Sequence, residues 1–219
     1  MFQAVIFDWD GTLADTERVV VSSFQKALSK INVETSDDFI QRRIGIGAFK
    51  TFREILQSAD FLFDDALIEH LVKDKILNAL EMSNQVILFP GSLELLISLY
   101  GRIKLGLASM NNEKVVLHLL DIMNLERYFD AILTINDISK PKPDPEIFLK
   151  CARKLKADPE KCVIVEDSIF GIKAAKKAKI DCIAVPTGAY SKKELEKANP
   201  DLIVHSLKEK DKILEFIFQ

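Results

Sequence analysis

The sequence predicts an α/β protein, a doubly wound parallel sheet with helices on both faces and a helical cap inserted behind the first strand. Three observations carry that expectation. Six short apolar runs rich in β-branched residues recur along the 219 residues, each suited to a strand buried on both faces. Helix-length segments with start signals separate the runs. One long stretch, 16–85, has helical periodicity and no strand run.

Taken in order, Ala4-Val5-Ile6-Phe7 is the first strand. Val19, Phe24 and Leu28 then repeat at helical spacing, as do Ala66-Leu67, His70-Leu71 and Leu77-Leu80. Gly45-Ile46-Gly47 and residues 58–60 break that periodicity, so about four helices are expected. Phe89-Pro90-Gly91 closes the insert, and a new helix opens at Ser92. Further strands are expected at 103–108, 131–134, 162–165, 182–185 and 202–204. Between them, Asn111 or Asn112 can cap a helix running through Leu120, Asp144-Pro145 is a second start, and Ser191 with Glu194 fits a capping box. The expected division is a discontinuous core, 1–15 plus 86–219, and a cap, 16–85.

Composition narrows the function. Thirty basic against 33 acidic residues leave a net charge of −3 with no charged block, so no nucleic-acid or polybasic membrane surface is expected. With 48% hydrophobic residues the chain can bury a core, yet no apolar run approaches the roughly 20 residues of a membrane helix. The chain passes from Met1 into its first strand within three residues, without a leader pattern. Cys151, Cys162 and Cys182 are odd in number and widely spaced, unlike a disulfide framework. A cytoplasmic protein, monomeric or weakly homo-oligomeric, is expected.

Ligands of an open α/β sheet sit beyond the carboxyl ends of its strands. There the sequence places Asp8 and Asp10 after the first strand, Ser109 after the second, Lys140 after the third and Glu166-Asp167 after the fourth. Four such acids cannot all be ionised side by side without repulsion. A divalent ion removes that conflict, and an all-oxygen donor set suits Mg²⁺, which completes its shell with substrate phosphate. Lys140 adds a compact positive charge for the same phosphate, and Ser109 and Asn111 add donors. A carboxylate at Asp8 can attack phosphorus, while Asp10 can protonate a leaving oxygen and later activate water.

Asp8-Trp9-Asp10-Gly11-Thr12-Leu13 resembles the nucleophile motif of the haloacid dehalogenase superfamily. Ser109, Lys140-Pro141-Lys142-Pro143-Asp144 and Glu166-Asp167-Ser168-Ile169-Phe170-Gly171-Ile172 are similar to its other three motifs, in order. The insert is similar to the small helical cap of the phosphoglycolate phosphatase and β-phosphoglucomutase subgroup. The resemblance implies an aspartyl-phosphate mechanism on a small phosphorylated metabolite, with Asp8 as nucleophile, Asp10 as acid and base, and Ser109 and Lys140 on the phosphate. It implies Mg²⁺ at Asp8, the Asp10 carbonyl and Asp167, with Glu166 direct or through water. It also implies that the lysine is the one before the first proline, which leaves Lys142 facing solvent. An acid at position 10 indicates a leaving oxygen that needs a proton, so ester hydrolysis is expected rather than dehalogenation.

Val20 stands where the family's mutases carry a histidine, and the 43–50 segment resembles the cap loop of the phosphatases. Hydrolysis is therefore expected, with a sugar-phosphate mutase as the alternative. In that segment Gly45 lets backbone approach a ligand, and Lys50 can reach a second anionic group. A receiver-type signalling module shares the residue types. It would carry its phosphorylated Asp on a later strand within about 120 residues and has no helical insert.

Overall fold

The computed structural model describes residues 2–219; Met1, where the leaderless start was expected, lies outside the described residues. At the centre is β1 (Ala4–Phe7), every side chain of which is buried. It pairs in parallel with β4 (Lys104–Ala108) on one side and β6 (Cys162–Glu166) on the other. β5 (Ala131–Leu133) extends one edge, β7 (Asp181–Ala184) and β8 (Leu202–Ile203) the other, giving the order β5-β4-β1-β6-β7-β8.

The strands read as continuous apolar runs because both faces are covered. Val5, Phe7, Leu105, Leu107, Val163 and Val165 enter the core on one face, with residues of α5 (Ser92–Leu99), α6 (Glu113–Ile122) and α10 (Lys210–Phe218). The alternate residues, Ala4, Ile6, Cys162 and Ile164, meet α7 (Glu146–Lys154), α8 (Ile169–Ala178) and α9 (Lys192–Lys197) on the other. The start signals act with one shift, since Pro145 rather than Asp144 is the N-cap residue of α7. Asn112 caps α6, Asp144 Oδ1 accepts the Glu146 N–H at 3.0 Å, and Ser191 with Glu194 forms the capping box.

The inserted stretch folds as α1 (Glu17–Ser29), α2 (Asp37–Gln41), α3 (Ala48–Ser58) and α4 (Asp65–Glu81), packed on an apolar cluster of their own that includes Phe24, Leu28, Phe52, Ile55 and Leu71. Sequence periodicity did not show that β2 (Ala14–Asp15) and β3 (Ile87–Leu88) pair antiparallel where the chain leaves and re-enters the core. Two-residue strands carry too short a pattern to detect. All three cysteines are free and buried, and burial pushes the Cys162 thiol up to about 11, so they behave as inert core thiols. Among the described residues no helix is long and apolar enough to cross a membrane.

Candidate active site

Three adjacent parallel strands, β4, β1 and β6, end at one edge and deliver the chemistry. Asp8 and Asp10 follow β1, Ser109 and Asn111 follow β4, Glu166 ends β6 and Asp167 follows it. All six are buried, none more than 8% exposed.

A lysine joins them, and it is not the expected one. Lys142 is fully buried, its Nζ donating to Asp8 Oδ1 at 2.6 Å and Glu166 Oε1 at 2.7 Å, above the Phe148 ring. Lys140 is exposed, and its backbone N–H donates to Glu146 Oε2 at 2.8 Å. The expected placements of the two lysines are therefore reversed. Both precede a proline, so local pattern does not separate them. The loop is tied at its start, because Glu146 also accepts from the Ser139 N–H, and the following turn carries position 142 inward.

Asp8, Glu166 and Asp167 bring carboxylate oxygens within 4.8 Å of one another. Their duties differ. Glu166 Oε2 accepts from the Asp167 and Ser168 N–H groups and the Ser168 hydroxyl at 2.8–2.9 Å, while Oε1 takes Lys142. Three donors occupy Oε2 and Lys142 alone occupies Oε1, so Glu166 anchors Lys142 and has less free oxygen to offer a metal than Asp8 or Asp167. A Cβ at position 171 would overlap this carboxylate, so Gly171 makes room for it. Asp8 and Asp167 each use one oxygen, toward Lys142 and toward the Thr12 hydroxyl (2.7 Å). Their Oδ2 atoms accept no hydrogen bond among the described residues.

Burial pushes the Asp8 carboxyl well above the usual range, and the Glu166 and Asp10 charges add to this while Lys142 opposes it. Asp167 is raised by burial and by Glu166 and Asp8. Burial works against the Lys142 charge too, but Asp8 and Glu166 outweigh it and hold the ammonium above its ordinary range. Two buried carboxylates with free oxygens and raised pKa values are a donor set that fits a hard divalent cation. An acid whose folded pKa is raised opposes folding increasingly as pH climbs above its unfolded value near 4. Added MgCl₂ is therefore expected to raise the melting temperature more at pH 8 than at pH 5.5. Equal gains at both pH values in a thermal scan would contradict this.

Asp10 turns its carboxylate away from that cluster. Oδ1 accepts from Thr16 Oγ1 at 2.8 Å and Asn111 Nδ2 at 3.2 Å, and Oδ2 from Ser109 Oγ at 3.0 Å. Any share in a metal site thus falls to its backbone carbonyl. Ser109 and Asn111 are brought to Asp10 in this structure, so the geometry shows an acid held by three donors.

The cap closes over this arrangement around a cavity of about 110 Å³. Asp10 and Asn111 form part of its floor, and Val20, Phe24, Phe49, Val72, Ile76, Met110 and Ile135 supply apolar walls. Gly45 lines it, with a positive φ of 101°. Lys50 does not line it. Two cap cations line it: Arg43, paired with Glu54 Oε2 at 2.7 Å, and Lys75 on α4, 4% exposed, whose Nζ donates to Asn111 Oδ1 at 3.0 Å. Burial lowers the Lys75 pKa and Asp10 partly opposes. A signal for Lys75 existed: Ile68, Leu71, Lys75 and Ala79 form one buried stripe of α4, and a lysine inside such a stripe needs a polar partner.

Comparison with known proteins shows the family and the fold. Residues 5–185 match the family described as haloacid dehalogenase-like hydrolase. A phosphorylated carbohydrates phosphatase of Thermotoga maritima is 33% identical over 185 residues, 83% of each chain. A hydrolase from Pseudomonas syringae superposes with a TM-score of 0.90 at 26% identity, covering 99% of this chain and 100% of that one. A β-phosphoglucomutase from Clostridium difficile superposes at 0.85 with 26% identity over the whole of both chains. With four motifs in order, a six-stranded parallel sheet and helices inserted behind its first strand, the chain belongs to the haloacid dehalogenase-like hydrolases.

Proposed function

We propose that the chain hydrolyses a small phosphomonoester of sugar-phosphate type through a phosphorylated Asp8, with Mg²⁺ bound at the acid cluster. Its place in the family as a phosphoric monoester hydrolase, beside a relative named for phosphorylated carbohydrates, is the coarser ground for this reading. One observation carries the finer part. Lys142 locks Asp8 Oδ1 while Oδ2 is free of hydrogen bonds among the described residues, so one oxygen is oriented and the other is a nucleophile.

In the first half-reaction Asp8 Oδ2 bonds to phosphorus as the ester P–O bond breaks, and Asp10 hands its proton to the departing alcohol oxygen. In the second, Asp10 takes a proton from water as the water oxygen attacks phosphorus, which frees Asp8 and inorganic phosphate. Mg²⁺ would be held by Asp167, the Asp10 carbonyl and the Asp8 oxygen that does not attack phosphorus, and when bound it would offset charge on the phosphoryl oxygens. The Lys142 charge acts in the same direction, and the cap walls exclude bulk water.

Lys75 gives the organic part of the substrate a donor. Among the described residues its one hydrogen-bond acceptor is an amide oxygen, so its ammonium has N–H groups left for a hydroxyl or an anionic group. Val20 presents hydrocarbon to the cavity and offers no hydrogen bond to a retained intermediate, which favours hydrolysis over the mutase reading.

With MgCl₂ present, phosphate release is expected from at least one of fructose 1-phosphate, glucose 6-phosphate and phosphoglycolate, faster than any isomerisation of glucose 1-phosphate. Lys75→Met should lower kcat/KM on that substrate by about 10- to 100-fold, the worth of a charged hydrogen bond. Its melting temperature should hold or rise, because a buried ammonium without a carboxylate partner opposes folding. No phosphate release from the whole panel refutes the reading, as does isomerisation outrunning hydrolysis.

A further inference from the structure

We propose that Arg42 of the cap and Tyr190 with Glu194 of the core form a catch that holds the cap shut and sets how readily it opens. The three residues join segments about 150 positions apart in sequence, a tie between cap and core additional to the β2–β3 ribbon through which the chain enters and leaves the cap. Each part of Arg42 is used. Its carbonyl accepts the Tyr190 hydroxyl at 2.5 Å, its Nη2 donates to Glu194 Oε1 at 2.5 Å, and its guanidinium lies 4.9 Å from the centre of the Tyr190 ring.

The core half of the catch is fixed before the cap arrives. Glu194 is held by its other oxygen, Oε2, which accepts the Ser191 N–H and hydroxyl at the start of α9. Tyr190 is buried and packs edge-on against Phe170 of α8. The same segment begins in the floor of the acid cluster. Thr187 Oγ1 donates to the Gly11 carbonyl at 2.5 Å, and Gly188 lies so close to the Asp167 carboxylate that a Cβ there would overlap it. A preset receiver loses little entropy when Arg42 docks, so a half-exposed ion pair here holds better than a free surface pair.

Arg42 and the Ser191 donors hold the Glu194 carboxyl at about 2, and burial pushes the Tyr190 hydroxyl up to about 12. Glu194 contributes above the ordinary carboxylate range and is lost only as pH falls through that low value. Asp38 is a further charge near Arg42, on the cap side. Asp167 and Arg43 are the other charges that act on Tyr190, and salt loosens the half-exposed Arg42–Glu194 pair.

The test places spin labels at exposed sites on either side, with Gln57→Cys on α3 and Lys177→Cys on α8, the three native thiols being buried. Pulsed dipolar spectroscopy then reads the cap–core distance without any turnover. The doubly labelled chain should give one dominant short distance. Adding Tyr190→Phe with Glu194→Gln keeps the Phe170 contact and a residue suited to the capping box. This change should raise the ratio of long to short distances about tenfold. Arg53→Ala, which breaks the Arg53–Asp65 pair inside the cap, should leave the distances unchanged. An unaltered distribution in the double variant overturns the proposal, and so does a broad distribution in the parent. Arg42→Ala serves as the second variant, with the same outcomes, if circular dichroism shows the first to be unfolded. A catch that behaves as described in a chain without phosphatase activity would leave this inference standing and remove the function proposed above.

Discussion

Lys142→Met is expected to abolish phosphate release and to cost about 3–5 kcal/mol of stability, the range for removing one partner of a buried ion pair. The physical reason is the pair of carboxylates left behind. Asp8 and Glu166 both bond to the same ammonium at 2.6–2.7 Å, and both are almost wholly buried. Without the cation their repulsion is uncompensated, so they must take up protons, and a protonated Asp8 is a poor nucleophile. Lys140→Ala makes the contrast. That side chain is exposed and forms no ion pair among the described residues, so stability should stay within about 0.5 kcal/mol of the parent and turnover should not fall. Chemical denaturation and phosphate release on the two variants, side by side, decide the matter. A dead Lys140→Ala with an active Lys142→Met would reverse the site as it is drawn here.

Asp8→Asn should reduce turnover by at least about 10⁴-fold, the scale on which removing a nucleophile acts. The amide keeps the shape of the side chain but cannot form the acyl-phosphate bond. Lys142 would lose one of its two carboxylate partners, so a modest loss of stability accompanies the loss of rate. Rapid acid quench during turnover should trap a phosphorylated parent chain, with the added mass mapped to the peptide containing Asp8. The variant should show no such adduct. A trapped adduct on another residue, or residual turnover above about 1% of the parent, a loss of less than about 10²-fold, would remove Asp8 from the role proposed for it.

Much of this architecture was legible from sequence because its signals are local. Runs such as Ala4-Val5-Ile6-Phe7 are continuous because both faces of the sheet are covered, and all four residues are indeed buried. Asn112, Asp144 and Ser191-Glu194 announce helix starts by hydrogen bonds within three residues, which sequence spacing encodes directly. The acids needed no more than their place at strand ends, since a parallel sheet puts all those ends on one edge.

Other features depend on contacts that cross the chain. The two-residue strands of the ribbon exist because Ala14 and Leu88 meet across the whole cap. Lys75 acquires its meaning from Asn111, 36 residues away, and Glu166 is committed by Lys142 and by the turn into α8. Lys50, chosen for its neighbourhood of glycines, does not line the cavity.

The sheet, the inserted helices and the cluster of acids follow from local pattern, because periodicity and strand-end position are properties of neighbouring residues. Which of two proline-flanked lysines enters the core is settled only by long-range packing. That choice is made by burial against Asp8, Glu166 and Phe148, groups that lie between 6 and 134 positions from Lys142 and meet it only once the chain has folded.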